Sequence, residues 1–443
     1  MDNSLTMRHD ARSLLRFAMP TIIMMVFMSL YTTVDGLFVA NFVSADGLAA
    51  LNLVIPGVSA MVAISVLFNA GGSLVISRKL GEGKIDEARE DLSLLIALTA
   101  GFGVLVTVLG LTFARPVLMA LGATENLYPI AYEYYKMQAM FAVPCLLQVQ
   151  FQYLFVTAGA PTLGLACVVI AGVSNVILDY VFVALLNWGL TGAALATGMG
   201  YSIPAIVGLV WFATNRKGLL HLVRPRFRFS TLKESVVNGV ASMIINLAGA
   251  MVTWLYNRVI ILYLGEIGIS AATVVLYARF LFNSVLSGYA SGVAPVISYN
   301  YGSQNFDQVK VLFRTSVKAV LAGSVLVLGI SLVARDGIVA LFSAGDEYLA
   351  GLAARGIFLF SFSYLFNGIN TFAATLFSSL NNGKLSAVMA SLNTFVFLTG
   401  AMFLLPGLGL NADGVWLAVP VAELLSLFVT LFLLKKKQAD YNY

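Results

Sequence analysis

Charge is what this chain has least of. Asp, Glu, Lys and Arg supply 11% of its 443 residues, against roughly a quarter in soluble globular domains. A water-facing globule of this length has too much surface to cover with so little charge, and a soluble reading is excluded. Intrinsic disorder and a nucleic-acid platform fall with it, since each needs dense charge. Histidine and cysteine are nearly absent too: His9 and His221 lie outside the apolar runs, while Cys145 and Cys167 lie inside them. That pattern suggests neither a disulfide framework nor a His/Cys metal cluster. No G-x4-G-K-[ST], D-D-x-x-D or H-E-x-x-H motif occurs, so no nucleotide-hydrolysing domain is present. An intramembrane transferase needs a nucleophile–base pair or clustered metal ligands, and the chain is read as not an enzyme.

What is present is apolar surface. The apolar fraction is 59%, with 30 Phe and a mean hydropathy of +0.89. A bilayer-crossing helix takes about 20 such residues, because hydrocarbon offers no partner to backbone N–H and C=O. Charge-free runs and turn signals place twelve spans, near 14–42, 48–77, 92–114, 132–157, 163–186, 190–213, 236–264, 268–299, 312–334, 348–380, 384–405 and 414–434. The N-terminus shows no short apolar region followed by a small-residue cleavage site, and reads as leading straight into the first span. An even count puts both ends on one side. Of the 26 basic residues, 20 fall on that side, in the segments around Arg8–Arg16, Arg78–Arg89, Arg216–Lys233, Lys310–Lys318, Lys384 and Lys435–Lys437. The positive-inside rule makes it cytoplasmic. The basic balance is therefore a topology signal, with no nucleic-acid partner implied.

The chain also repeats itself. Gly71, Val75, Ile76, Ser77, Gly81 and Asp86 recur 221 residues later as Gly292, Val296, Ile297, Ser298, Gly302 and Asp307. The repeat predicts an all-α polytopic membrane protein with two six-helix lobes related by a pseudo-two-fold axis. Residues 1–214 form an N-lobe, 215–235 a basic cytoplasmic linker and 236–443 a C-lobe. Such an arrangement suits alternating access, with a site between lobes near the midplane.

Ionisable groups inside spans cost at least a few kcal/mol at the midplane and mark function by default. Five stand well inside: Asp35, Asp179, Arg258, Arg279 and Glu423. Asn175 precedes Asp179 by four residues, on the same helix face. At the repeat positions Asp35 aligns with Asn257 and Asp179 with Phe397, so the acidic pair belongs to the first half only. Two buried carboxylates in one lobe repel when both are ionised, and would share a proton or hold one cation. Asn175 and Thr197 add hard oxygen atoms, which suits Na+ as well as a proton relay. Pro20 removes a helical hydrogen bond and permits a bend in the first helix. Met28, Tyr31, Gln148 and Gln152, with Asn257 and Arg279 from the second half, are candidates to line an adaptable substrate cavity.

The twelve spans, the first-helix P-x14-D of Pro20 and Asp35, the fifth-helix N-x3-D of Asn175 and Asp179, and the P-x-I-x-Y-N-Y-G run Pro295–Gly302 together resemble the multidrug and toxic compound extrusion (MATE) family, most closely its bacterial DinF-type branch. The resemblance covers nearly the whole chain. It implies a V-shaped twelve-helix exporter that exchanges cationic or amphipathic drugs for inward-moving H+ or Na+, without a cofactor. It further implies a monomer in the bacterial inner membrane with both termini cytoplasmic. In that branch the positions matching Asp35, Asn175, Asp179 and Thr197 form the cation or proton site, which here could hold Na+, and Pro20 marks the helix bend. Arg279 matches a position the branch keeps basic. Two departures stand out: Val156 occupies a loop position where many relatives carry Arg, and the C-lobe lacks the acidic pair other branches use for Na+. A flippase for lipid-linked precursors is the competing transporter reading, though such proteins usually carry about two more spans and a strongly cationic cavity.

Overall fold

Backbone groups in hydrocarbon must find partners within their own segment, so each apolar run folds as a helix. The computed structural model describes residues 7–42, 45–342, 346–441 and 443; the side chains at 34–42, 45–49, 52 and 266 fall outside that description. Among the described residues there is no strand.

The first half comprises α1 (Ala11–Phe42), α2 (Ala45–Gly81), α3 (Ile85–Thr112), a short helix (Ala114–Ala120), and α4 in two segments, Tyr128–Met140 and Ala142–Thr157. Then come α5 (Pro161–Leu185) and α6 (Gly189–Thr214). The second half comprises α7 (Phe229–Gly265), α8 (Ile267–Gly302), α9 (Phe306–Phe342), α10 in two segments (Glu347–Ser361, Tyr364–Ser379), α11 (Gly383–Leu405 through three successive segments) and α12 (Asn411–Tyr441). The helical run Gly383–Tyr441 is 59 residues long. At ~1.5 Å per residue it would span about 90 Å, three times the ~30 Å of bilayer hydrocarbon. Positive φ at Gly409 (91°) and Asn411 (47°) breaks it, so it supplies two spans. Nine long helices and two bent pairs make eleven, and dividing this run at its break makes twelve spans among the described residues, as expected.

The bends in α4 (52°) and α10 (49°) were not expected, since both spans read as continuous apolar runs. In α4 the cause is Pro144, which has no N–H to donate to the Met140 carbonyl. No such residue stands at the α10 break.

Backbone conformation carries the repeat beyond what side chains reveal. Positive φ occurs at Gly83 and Gln304, Gly159 and Asn381, Asn187 and Gly409, and Gly189 and Asn411, each pair 221 or 222 residues apart. Left-handed backbone disfavours a Cβ, so a Gln at one such position shows the turn is imposed by its surroundings.

The chain packs as two compact units, one built on Phe27–Gly239, the other on Arg8–Val26 with Val240–Tyr443. This division differs from the expected boundaries at 214 and 236 in two places, each with a packing reason. The linker is fastened to the first unit: Arg89 Nε donates to the Leu219 carbonyl (2.8 Å), the Val223 N–H donates to Ser93 Oγ (2.9 Å), and Arg228 pairs with Glu90. Beneath it Asp91, fully buried, accepts from Lys79 Nζ at 2.5 Å and from Thr231 Oγ1 at 3.1 Å. Lys79 and Asp91 sit in stretches that read as loop-side charge, and the structure buries both. The start of α7 then lies flush on α2, where a Cβ on Gly71 would meet the Ser235 carbonyl oxygen at 1.9 Å and one on Gly239 would meet that of Leu67 at 1.8 Å. The second unit takes the start of α1 in the same manner. A Cβ on Gly288 of α8 would come 2.8 Å from the Ile22 Cα, and Gln308 Nε2 donates to the His9 carbonyl at 2.8 Å. Its core gathers Trp416, Tyr256, Phe360 and Tyr364.

Gly239→Ala is expected to destabilise the protein by about 1–3 kcal/mol through overpacking, read as a lower melting midpoint in detergent. Gly249→Ala, whose Cβ would meet nothing within 4 Å, is expected to leave the midpoint unchanged.

Candidate ion and substrate site

The first unit concentrates its polar chemistry along α5. Asn175 and Asp179 are buried on one face, at 3% and 1% exposure. Directly after Asp179 the helix widens into a π-helical stretch, Tyr180–Leu185. Such stretches are rare and often lie at functional sites. From α6, Thr197 Oγ1 faces α5, accepting from Asn175 Nδ2 at 3.4 Å while donating to the Ala193 carbonyl at 2.9 Å. The close approach is set by glycine, since a Cβ on Gly200 would already touch the Cβ of Asn175 at 3.4 Å. Asn175 Oδ1 is buried with no hydrogen-bond partner among the described residues. A buried carbonyl oxygen in that state costs about 1–3 kcal/mol unless something else fills its lone pairs.

Helix α1 reaches the same face. A Cβ on Gly172 would meet Phe27 Cε1 at 2.6 Å and Tyr31 Cδ1 at 3.2 Å, so the rings of this turn of α1 lie on α5. Asp35 belongs to α1, one turn beyond Tyr31, and its side chain lies outside the described residues. Of the four sequence candidates, Asn175, Asp179 and Thr197 therefore share one neighbourhood. Their oxygens are carboxylate, amide and hydroxyl, the hard donors that suit a proton or an alkali cation rather than a soft metal.

The remaining candidates divide between the units. Met28 and Tyr31 are half-buried on α1, and Gln148 and Gln152 are buried on α4 at 4% and 7% exposure. Gln148 Oε1 and Gln152 Nε2 have no partner among the described residues. Gln150, not among the sequence candidates, is fully buried with neither amide atom partnered among the described residues. Three alternate glutamines in an apolar helix were the available signal. In the second unit, Asn257 is exposed and Arg279 half-buried, while Pro20 lies inside α1 without ending it. Glu423 is 6% exposed and holds three asparagines that were not among the sequence's site candidates, one of them, Asn393, the repeat counterpart of Asn175.

Two six-helix repeats of membrane-spanning helices, with buried carboxylate, amide and hydroxyl groups along one of them, define a polytopic membrane transport protein. Residues 20–181 and 239–403 match the MatE family, and the chain belongs to it. It is a membrane transporter and not an enzyme. Among relatives, it is 22% identical over 428 residues to the multidrug export protein MepA of Staphylococcus haemolyticus, covering 95% of this chain and 92% of that one. To MepA of Staphylococcus aureus it is 21% identical over 408 residues, covering 89% and 88%. A solved outward-facing multidrug resistance MATE family transporter of the MOP superfamily shares the fold with a TM-score of 0.93 at 19% identity, covering 100% of this chain and 99% of that one. A MOP superfamily transporter from Pyrococcus furiosus, described as having a binding pocket of reverse polarity, matches with a TM-score of 0.91 at 18% identity and the same coverage.

Thr197→Val keeps the shape and removes the hydroxyl that Asn175 Nδ2 uses. The variant is expected to lose about 1 kcal/mol of stability, as a buried donor loses its partner, measured as a lower melting midpoint of the purified protein.

Proposed function

We propose that the protein is a secondary active multidrug exporter of the bacterial inner membrane, expelling cationic or amphipathic compounds in exchange for H+ or Na+ by alternating access. The observation that carries this reading is the oxygen-lined neighbourhood of Asn175, Asp179 and Thr197 on α5 and α6. Asp35 is proposed to complete it from α1. The names of the staphylococcal relatives support export of more than one compound.

In this reading the ion is cargo, and the chain supplies its seat. The Asp179 carboxylate takes a proton or contributes a charged oxygen to Na+, while Asn175 Oδ1, buried and open to a further contact, and Thr197 Oγ1 fill the remaining positions. Loading neutralises charge that is costly in a low-dielectric interior, so occupancy is coupled to the packing of α1 against α5. Pro20 is proposed to give α1 the freedom to bend in response. Met28, Tyr31, Gln148 and Gln152, with Asn257 and Arg279, are the proposed substrate contacts. Cytoplasmic termini follow from the basic-residue bias, and a working monomer is proposed from the family resemblance alone. A lipid-linked precursor flippase is the weaker reading, because Arg258 and Arg279 are the sole candidates the sequence offers for a cationic cavity.

Asp35→Asn and Asp179→Asn are each expected to abolish drug resistance in an exporter-deficient host while leaving membrane levels of the protein unchanged. Full resistance in both variants contradicts the assigned role.

A further inference from the structure

We propose that Glu423 on α12 is a proton-binding site of the second unit, held by asparagines from two other helices. Asn367 Nδ2 of α10 and Asn393 Nδ2 of α11 donate to Glu423 Oε1 at 2.9 and 3.1 Å. Asn370 Nδ2 of α10 donates to Oε2 at 2.7 Å and to the Glu423 backbone carbonyl at 2.9 Å. Asn370 is itself oriented by Thr430 Oγ1, which donates to its Oδ1 at 2.8 Å. One buried carboxylate therefore ties three helices, and every contact aims an N–H at it, the arrangement of an ionised side chain. Among the described residues Glu423 makes no ion pair, so the amides replace a direct salt bridge. The repeat alignment gave no reason to expect an acidic site in this half, because Asn257 and Phe397 stand where Asp35 and Asp179 do.

The charged and titratable surroundings are few. Arg279 of α8 is within Coulombic range of Glu423, and also of Tyr256 of α7 and Tyr364 of α10. On the helices packed against α12, Arg355 is engaged by Asp413, and Glu347, Tyr348 and Lys384 are exposed. Lys435, Lys436, Lys437, Asp440 and Tyr441 lie at the far end of α12 itself.

A proton taken from water forms an O–H bond on a carboxylate oxygen and turns that acceptor into a donor. The new O–H needs an acceptor within reach, which an amide supplies by rotating its Oδ1 toward it. Asn370 Oδ1 is already taken by Thr430. Asn367 and Asn393 have no hydrogen bond to Oδ1 among the described residues, so the exchange falls at Oε1. Asn393 lies in the π-helical stretch Leu392–Leu398, where backbone bonding shifts most readily, and Asn367 lies just past the break in α10. Proton occupancy is thereby linked to how α10, α11 and α12 hold together. Its consequence for transport rests on the exporter reading above; the protonation itself does not.

The test uses full-length protein in lipid nanodiscs carrying Asp35→Asn and Asp179→Asn, which silences the first unit's acids. Infrared difference spectra between alkaline and acidic buffer are expected to show a protonated-carboxyl C=O band that Glu423→Gln removes. Asn393→Ala, which keeps the carboxylate, is expected to displace the midpoint at which that band appears. No such band in the background protein, the same band after Glu423→Gln, or a midpoint unmoved by Asn393→Ala overturns the proposal. Failure of ion-driven transport in the unsubstituted protein, with this band intact, would count against the exporter reading alone.

Discussion

Hydrocarbon offers a polar group nothing to bond with, and the rest of this structure follows from that constraint. It makes every span a helix, and it obliges each polar side chain inside a span to be answered by another part of the protein. The answers take different forms. Asp91 is met by Lys79 and Thr231 in a buried cluster that fastens the chain leading into α7. Glu423 is met by three neutral amides. Asn175 is met on one side by Thr197 and on the other, at Oδ1, by no described protein atom. An unanswered buried oxygen invites a ligand, and the one on Asn175 lies one helical turn from the buried Asp179 carboxylate.

The two halves share a backbone and differ in chemistry. Paired left-handed turns and a bend of about equal size in α4 and α10 recur at the repeat distance. Against that common frame, the first half buries Asp179 on its fifth helix, whereas the second half buries Glu423 on its last.

Much of the fold was legible in the residues, because membrane spans are written in long runs that a composition window can see. The count of spans, the repeat and the shared face of Asn175 and Asp179 follow from spacing alone. What escaped depended on contacts between distant segments. The α4 break is traceable to Pro144, but the α10 break has no breaker residue to announce it. The start of α1 packs in the second unit, an outcome decided by Gly288 and Gly292 admitting Ala18 and Ile22 rather than by anything in α1. Asp91 read as loop charge since it directly precedes the charge-free run from Leu92, and the linker folds over it. Asn367, Asn370 and Asn393 were invisible as a set because they come from two helices and converge on a third.

Ion-driven export is the central claim, and transport of a cationic dye by purified protein in proteoliposomes tests it most directly, with pH and sodium gradients imposed separately. The account predicts that at least one of the two gradients drives dye movement, and that Asp179→Asn removes the stimulation. Dye movement indifferent to both gradients would contradict it.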